Sequence, residues 1–143
     1  MMRVVEVMAS GARGGGAEHL LGLLPALQAR GHQVSAWCGE DGPLLEELGQ
    51  RGIDCFPIEM MHSRLDPRVL WSLNRRMRAR RPDIVHWHGT RAGFYGAWAR
   101  PRRSIYTAHG LAYRKERTAA RRALFLAAAA LATRAKHEIS NSK

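Results

Sequence analysis

Residues 3–30 read RVVEVMASGARGGGAEHLLGLLPALQAR, and the order of the patterns in this stretch decides the fold. Arg3 to Met8 is a β-branched, apolar run, which predicts a strand. The glycine-rich segment Gly11 to Gly16 follows it, and Ala17 to Arg30 then carries apolar residues at helical spacing until Gly31. The stretch therefore predicts a strand, a glycine loop and a helix, in that order.

The same alternation continues along the chain. Further strands are predicted at Gln33 to Cys38, Ile53 to Ile58, Asp83 to His88 and Ser104 to Thr107, and Glu138 to Ser140 would begin a sixth. Further helices are predicted at Pro43 to Arg51, Asp66 to Arg81, Thr90 to Arg100 and Arg114 to Lys136. Strands that alternate with helices form right-handed βαβ units, with a parallel sheet between two helical layers. We therefore predict one α/β, doubly wound, Rossmann-like domain over residues 1–143.

Length and composition limit the class of protein. The chain has 143 residues, of which 45% are hydrophobic and 24% charged, so it suits one folded domain without room for a second substrate-binding lobe. Cys38 and Cys55 lie in strand-like runs and no secretory pattern follows Met1, so we expect a reducing, cytoplasmic location. The longest apolar run, Ala123 to Ala132, is about half as long as a membrane span, so we expect only peripheral membrane contact.

Charge is distributed unevenly. The formal net charge is +11: residues 1–67 hold five basic and nine acidic side chains, and residues 68–143 hold eighteen basic and three acidic. This asymmetry predicts an anionic partner, whether nucleic acid, an acidic membrane surface or a phosphorylated substrate. The alternative is a solvated, arginine-rich surface. Trp71 and Trp98 fall within helical patterns, which favours packing roles over base stacking, so nucleic-acid binding rests on charge alone.

Ligands of an open parallel sheet bind beyond the carboxyl ends of its strands. Three polar or glycine-rich segments are predicted there: Gly11 to Glu18, His88 to Arg91 and Thr107 to Arg114. In the first, Gly14, Gly15 and Gly16 would let the backbone approach a diphosphate, and the following helix would direct free N–H groups at it. The same glycines could instead form only a tight turn.

A nicotinamide dinucleotide is the alternative ligand for this loop. The glycines at 11, 14, 15 and 16 do not give the G-x-G-x-x-G order. Glu40 and Asp41 nevertheless follow at a distance that suits a ribose contact. An NAD(P)-type domain therefore stays open as the second interpretation.

Paired histidines mark the second segment. His86 and His88 share one strand face, which suggests a metal site that Cys38, Cys55 or His109 would complete. No metal-ligand spacing occurs, however, and no carboxylate is placed to join them, so we predict no metal. We expect His86 to be a packed strand residue and His88, beside Gly89, to meet a ligand.

His109 ends the fifth predicted strand at the ligand-facing rim. There it would hydrogen-bond a sugar hydroxyl or a phosphate and titrate near neutrality, unless it merely caps a loop. Arg91 and Arg114 follow two strand ends and would hold phosphate oxygens, although with 20 arginines in the chain either could simply be solvated.

Together these segments resemble the amino-terminal domain of family 4 glycosyltransferases, which have the two-lobed GT-B fold. The resemblance is carried, in chain order, by Gly14-Gly15-Gly16-Ala17-Glu18-His19, Arg30-Gly31-His32-Gln33-Val34, Asp41-Gly42-Pro43-Leu44, Arg81-Pro82-Asp83-Ile84-Val85-His86-Trp87-His88-Gly89 and Tyr106-Thr107-Ala108-His109-Gly110. The segments around His88 and His109 most resemble members that build bacterial surface polysaccharides on polyprenyl-diphosphate carriers.

The resemblance implies retaining transfer of a sugar from a UDP- or GDP-linked donor to an acceptor held mainly by this lobe. It implies that Gly14, Gly15 and Gly16 contact the donor diphosphate and that His109 is catalytic. It implies an acceptor site made of His88, Gly89, Thr90, Arg91, Thr107 and Arg114. It implies no protein nucleophile and no cofactor, because the nucleotide sugar is a substrate.

The sequence departs from the family pattern in two places. The second lobe, which supplies the nucleotide pocket and a paired-glutamate E-x7-E motif, has no counterpart here, and the segment between Gly96 and Ser104 is shorter than usual. We therefore expect an acceptor-side half that is inactive alone and needs a further domain or a second chain. For the basic half, we expect a diphosphate-linked lipid at the inner membrane face, and not nucleic acid.

Overall fold

The computed structural model describes residues 1–62, 66–99, 101–109 and 127. In this part of the chain, five parallel strands form one sheet in the order β3-β2-β1-β4-β5. The strands are β1 (Arg3–Met8), β2 (Gln33–Cys38), β3 (Asp54–Pro57), β4 (Ile84–His88) and β5 (Ser104–Thr107). The helices are α1 (Gly15–Ala29), α2 (Leu44–Gln50), α3 (Pro67–Arg80) and α4 (Gly89–Ala99). The predicted doubly wound, Rossmann-like fold is confirmed.

The strand order creates a switch point between β1 and β4. From β1 the chain moves outward through β2 to β3, then crosses back to β4 and continues to β5 on the other side. Connections leave β1 and β4 in opposite directions, so a crevice opens beyond their carboxyl ends. A ligand of this fold is expected to bind in this crevice.

Side-chain alternation along the strands divides the core into two clusters. One packs β1 residues such as Val5 and Val7 with Leu73 of α3 and Tyr95 of α4. The other packs the intervening strand residues against α1 and α2, with Leu24 at its centre. Helices therefore cover both faces of the sheet, α1 and α2 on one and α3 and α4 on the other.

Local signals determine the ends of α3. The Asp66 side chain accepts a hydrogen bond from the Arg68 N–H at 2.8 Å and so caps the helix, and Pro67 occupies its first turn. The helix ends where Arg81 adopts a left-handed conformation with φ 46°. Both predicted ends are confirmed.

Several predicted elements differ from the structure by one or two residues at their ends. Helix α1 begins at Gly15, two residues earlier than Ala17, so part of the glycine loop is helical. Strand β3 is shorter than predicted, because the Ile53 N–H bonds to the Leu48 carbonyl at the end of α2 and does not join the ladder. The predicted helix from Arg114 and strand from Glu138 lie outside the described residues.

The tryptophans divide into two pairs. Trp37 and Trp87 are buried in the core, whereas Trp71 and Trp98 are 64% and 53% exposed. The predicted packing role is therefore wrong for Trp71 and Trp98, which lie on the outer sides of α3 and α4. Among the described residues, no helix is both long and apolar enough to cross a membrane.

Candidate functional site

A buried carboxylate lies at the centre of the sheet beside the crevice. Glu6 belongs to β1, is 2% exposed, and lies opposite His86 of β4 in the strand register. Its Oε2 atom accepts a hydrogen bond from His86 Nδ1 at 2.9 Å and another, shorter one from His88 Nε2. Burial alone would raise the pKa of Glu6, but the hydrogen bonds from the two histidines outweigh it and hold the pKa below its ordinary value. Glu6 is therefore an anion at neutral pH.

The hydrogen bonds extend from Glu6 towards β5 in two arms. On one arm, His86 Nε2 lies 2.8 Å from the hydroxyl of Thr107. On the other, His88 Nδ1 lies 2.7 Å from His109 Nε2, and the two rings are inclined by only 21°. We call these five residues the histidine network. It spans the three neighbouring strands β1, β4 and β5 and their carboxyl ends.

The network opens to solvent at His109. This side chain is exposed, whereas His88 beneath it is fully buried. Partial burial lowers the pKa of His109, and its histidine neighbours lower it further. The ring of His19, on α1, lies 5.7 Å from the rings of both His88 and His109. His109 is therefore a neutral imidazole at pH 7.

The glycine loop lies directly beside His109. A Cβ atom at Gly16 would lie 3.7 Å from His109 Cδ2. Around Gly14 and Gly15, by contrast, a Cβ atom would have no neighbour within 4 Å among the described residues. Helix α1 begins here, and its first internal hydrogen bond runs from the Glu18 N–H to the Gly14 carbonyl. The N–H groups before Glu18 are thus directed out of the helix towards this open space.

Asp41 holds the glycine loop in place. Its carboxylate accepts a hydrogen bond from the Ser10 hydroxyl at 2.6 Å and another from the Gly11 N–H at 2.5 Å. These bonds hold the pKa of Asp41 below its ordinary value, although its slight burial acts in the opposite direction. A Cβ atom at Gly11 would lie 2.3 Å from the Gly39 carbonyl oxygen, so this close contact requires glycine. Asp41, suggested above as a ribose contact, therefore also shapes the loop.

The predicted acceptor residues occupy different environments. His88 contacts Glu6 and His109 and can act on a bound group only through His109, because it is buried. Gly89, with φ +76°, turns the chain from β4 straight into α4, and Thr90 is half-buried in its first turn. Arg91 Nη1 donates to the backbone carbonyls of Met60 and Met61. Thr107 contacts His86, and Arg114 lies outside the described residues.

Sequence reasoning missed Glu6. The sequence does contain a signal for its role. A buried parallel strand is an almost continuous apolar run, and Glu6 is a charged residue that interrupts such a run between Val5 and Val7. Glutamate is almost never fully buried unless it is paired. A carboxylate in that position therefore requires partners of opposite chemistry on a neighbouring strand.

The expectation that no carboxylate accompanies the paired histidines is wrong. The donor atoms of Glu6, His86 and His88 all lie within 4.8 Å of one another, and one carboxylate with two imidazoles is a donor set that zinc accepts. A metal would require both ring nitrogens facing Glu6 to be deprotonated. In this geometry those nitrogens instead hydrogen-bond the carboxylate.

Two open cavities lined by described residues lie elsewhere. One of about 570 Å³ is lined by Arg3, Gln33 and Pro82, and another of about 700 Å³ by Asn74, Arg81 and Trp98. Arg3 and Gln33 begin β1 and β2, so the first cavity opens at the amino ends of the strands. Parallel sheets bind ligands at the opposite edge, which favours the network and the glycine loop as the site.

The chain is similar to known proteins both in sequence profile and in fold. The profile of Glycosyltransferase Family 4 matches residues 13–143. The structure of HepE from Anabaena in complex with UDP is similar at a TM-score of 0.68 and 20% identity, covering 93% of this chain and 35% of that one. MurG of Acinetobacter baumannii matches at a TM-score of 0.58 and 21% identity, covering 73% and 35%.

A glycosyltransferase of Rickettsia africae is also similar, at a TM-score of 0.60 and 20% identity, with 77% of this chain and 30% of that chain covered. No curated protein matches the chain. The chain spans about a third of the length of these solved structures. At these low sequence identities, the similarity to these structures shows that the fold is shared.

Proposed function

The chain belongs to glycosyltransferase family 4, and from this premise we propose that it is the acceptor-side, amino-terminal lobe of a retaining glycosyltransferase. The proposed reaction moves a sugar from a nucleotide diphosphate sugar to a glycan or polyprenyl-diphosphate-linked acceptor. The observation that carries the proposal is the position of His109 beside the glycine loop, where a Cβ atom at Gly16 would contact its ring. Family membership favours this reaction over the NAD(P)-type alternative.

The glycine loop suits the donor diphosphate. The N–H groups of Gly15 and Gly16, which have no acceptor inside the helix, and the positive end of the α1 dipole would offset the negative charge that grows on the leaving diphosphate. The open space around Gly14 and Gly15 leaves room for it. The HepE structures contain UDP or UDP-glucose, which supports the same donor class here. We propose no cofactor beyond the nucleotide sugar.

His109 suits the reacting end of the donor. A diphosphate at the loop would bring its sugar next to the imidazole, because even a single added Cβ atom at Gly16 would lie within van der Waals distance of the His109 ring. A neutral imidazole there can hydrogen-bond a hydroxyl of the sugar or of the acceptor. In the retaining reaction that the resemblance implies, the departing phosphate takes the acceptor proton, and His109 orients the reacting groups.

A second lobe completes the proposed enzyme. This chain covers 35% of the HepE chain, and a nucleotide base and ribose would need contacts that the loop does not supply. We propose that a further domain or a separate chain provides them and that the 143 residues alone do not transfer sugar.

We also propose peripheral contact with the inner face of the cell membrane. Trp71 and Trp98 are exposed, and the Arg75 guanidinium lies 5.1 Å from the Trp71 ring centroid. Arg78 and Arg102 line the same depression as Trp98. Exposed tryptophans among arginines suit an anionic lipid surface, where a polyprenyl-diphosphate acceptor would be found.

The transfer reaction tests the main proposal. In the complete transferase, supplied with UDP- or GDP-linked sugars and a polyprenyl-diphosphate acceptor, His109→Ala should lower kcat by about 10²-fold or more. His32→Ala is the matched control, because His32 lies just before β2, at the amino ends of the strands, and should leave kcat unchanged. Unaltered turnover in His109→Ala, with transfer otherwise measurable, would overturn the assignment of His109.

A further inference from the structure

The protons of the histidine network can be assigned from Glu6 outward. The carboxylate is an anion and has no proton to donate, so both nitrogens that face it must carry one. These are Nδ1 of His86 and Nε2 of His88. Burial lowers the pKa of His88, so its imidazole is neutral and has a single N–H, on Nε2. His88 Nδ1 is therefore an acceptor.

The assignment then reaches His109. His88 Nδ1 lies 2.7 Å from His109 Nε2, and two lone pairs at that distance would repel each other. His109 must therefore carry its proton on Nε2 and donate it to His88. Its Nδ1 is left with a lone pair, on the side of the ring that is directed away from His88.

We propose that Glu6 is a positioning residue that acts through His88 to fix the tautomer of His109, so that His109 presents Nδ1 as a hydrogen-bond acceptor to the bound substrate. This inference rests on the proposed function for the identity of that substrate. A phosphate oxygen at neutral pH offers mainly lone pairs, whereas a sugar or acceptor hydroxyl can donate. The network therefore selects a hydroxyl, and not a phosphate, as the partner of His109.

The burial of Glu6 and His88 strengthens the preference of His109 for one tautomer. Glu6 is 2% exposed and the His88 side chain 0%, so water does not compete for their hydrogen bonds. Turning the tautomer of His88 would leave the anionic Oε2 of Glu6 against a lone pair of Nε2 in a site of low dielectric constant. The same charge strengthens Nδ1 of His109 as an acceptor, because each hydrogen bond along the arm polarises the next.

A metal ion in the cluster would have the opposite effect. Bound between Glu6, His86 and His88, it would require a bare Nε2 on His88, which would move the proton of that ring to Nδ1. His88 would then donate to His109 Nε2, and His109 would carry its proton on Nδ1. The tautomer of His109 thus distinguishes the proton network from a metal site.

Nitrogen NMR of the protein labelled with 15N-histidine, without sugar nucleotide, reads this tautomer directly. We expect His109 to show a protonated Nε2 and a bare Nδ1, with or without chelator. In Glu6→Gln the side-chain amide can donate to His88, so a large share of His109 should change to the Nδ1–H form. Thr107→Val is the matched control: it breaks the His86 arm only and should leave His109 unchanged.

Two results would overturn the proposal: an Nδ1–H tautomer of His109 in the wild-type protein, or a tautomer that Glu6→Gln does not alter. Should Glu6→Gln fail to fold, the wild-type spectrum alone still decides, and His88→Gln breaks the same arm. An Nδ1–H form that chelator converts to Nε2–H would assign the cluster to a metal. None of these measurements depends on catalysis, so failure of the proposed function would appear separately, as a lack of transfer.

Discussion

The two faces of the sheet are built from the same strands and each has an apolar core, yet the α1 face also buries the charged histidine network. Towards α3 and α4, strands β1 and β4 direct Val5, Val7 and Trp87, which form an apolar core. Towards α1, the alternate residues include Glu6 and His88, which are equally buried but charged or polar. Residues next to each other in sequence therefore serve different purposes: both faces supply hydrophobic burial, and the α1 face adds a hydrogen-bonded network.

The difference shows where stability and function reside. Apolar side chains on the α3 and α4 face gain about 25 cal/mol for each Å² they remove from water. A buried carboxylate on the other face loses hydration that its hydrogen bonds must replace, so the network gives specificity at little gain in stability. Mutations on the α3 and α4 face should therefore change mainly the free energy of unfolding, and mutations at the site on the other face should change mainly substrate binding or transfer.

The largest difference is expected between two glycine substitutions, one on each face. A Cβ atom at Gly96, on α4, would lie 2.7 Å from ring atoms of Trp87, whereas at Gly15 it would meet no described atom within 4 Å. Gly96→Ala should therefore lower the free energy of unfolding by about 1–3 kcal/mol. Gly15→Ala should change it by less than about 0.5 kcal/mol but weaken donor binding, because the methyl group occupies the space for the diphosphate.

Urea unfolding of the chain and donor titration of the complete transferase check this pair. Gly15 is the better probe of the loop, since a Cβ atom at Gly16 would also lie 3.0 Å from Met8 Sδ. If Gly15→Ala proved as destabilising as Gly96→Ala, or left donor affinity unaltered, the contrast between the faces would be lost.

The pH dependence of stability should come from the network face. Burial lowers the pKa of His88 below its ordinary 6.5 despite the bond to Glu6, and the pKa of exposed His109 is lowered by partial burial and its histidine neighbours. Near pH 6.5 these histidines therefore bind protons more readily in the unfolded chain than in the folded chain. The free energy of unfolding consequently falls as the pH falls through this value. The lowered pKa of Glu6 adds a second loss below its ordinary 4.5.

The urea midpoint measured from pH 7.5 to 4 tests this sign. It should decline below about pH 6.5, mainly through buried His88, since exposed His109 is better solvated. A midpoint that stayed flat or rose on acidification would mean that the histidines are not held neutral by their surroundings.

The smallest expected effect concerns the outer surface of α3. In the proposed membrane contact, Arg78→Glu should weaken sedimentation with anionic vesicles severalfold, because it reverses a charge beside the exposed tryptophans. Arg30→Glu makes the same charge change on an exposed residue at the end of α1 and is the matched control. Equal losses of vesicle binding in both variants, or vesicle binding that does not depend on salt, would contradict the proposed membrane contact of this surface.

Much of the fold was predictable because its signals are local. Each strand is a short apolar run, each helix has its own periodicity, and Asp66-Pro67 and Arg81 mark the ends of α3 within the sequence itself. Periodicity also identified α3 and α4, but it could not tell which side chain lies outside the apolar stripe. Trp71 was therefore expected in the packing and is exposed.

The site was predictable only in part. The glycine loop and His109 follow strand ends, and strand ends in a parallel sheet meet at one edge, so their approach could be expected. The link from Glu6 to His88 could not, because it joins residues 82 apart and depends on the register of β1 with β4. Spacing along the chain carries no information about such a cross-strand pair.

The histidine network also bears on how the sheet assembles. Strand side chains alternate, so a one-residue slip of β4 against β1 would carry His86 and His88 to the apolar face and leave Glu6 opposite Val85 or Trp87. A slip between purely apolar strands is already unfavourable. With Glu6 in β1 it costs much more, because the carboxylate would be buried without a hydrogen-bond donor. The register that gives Glu6 its two histidine partners is therefore also the register that assembles the candidate site.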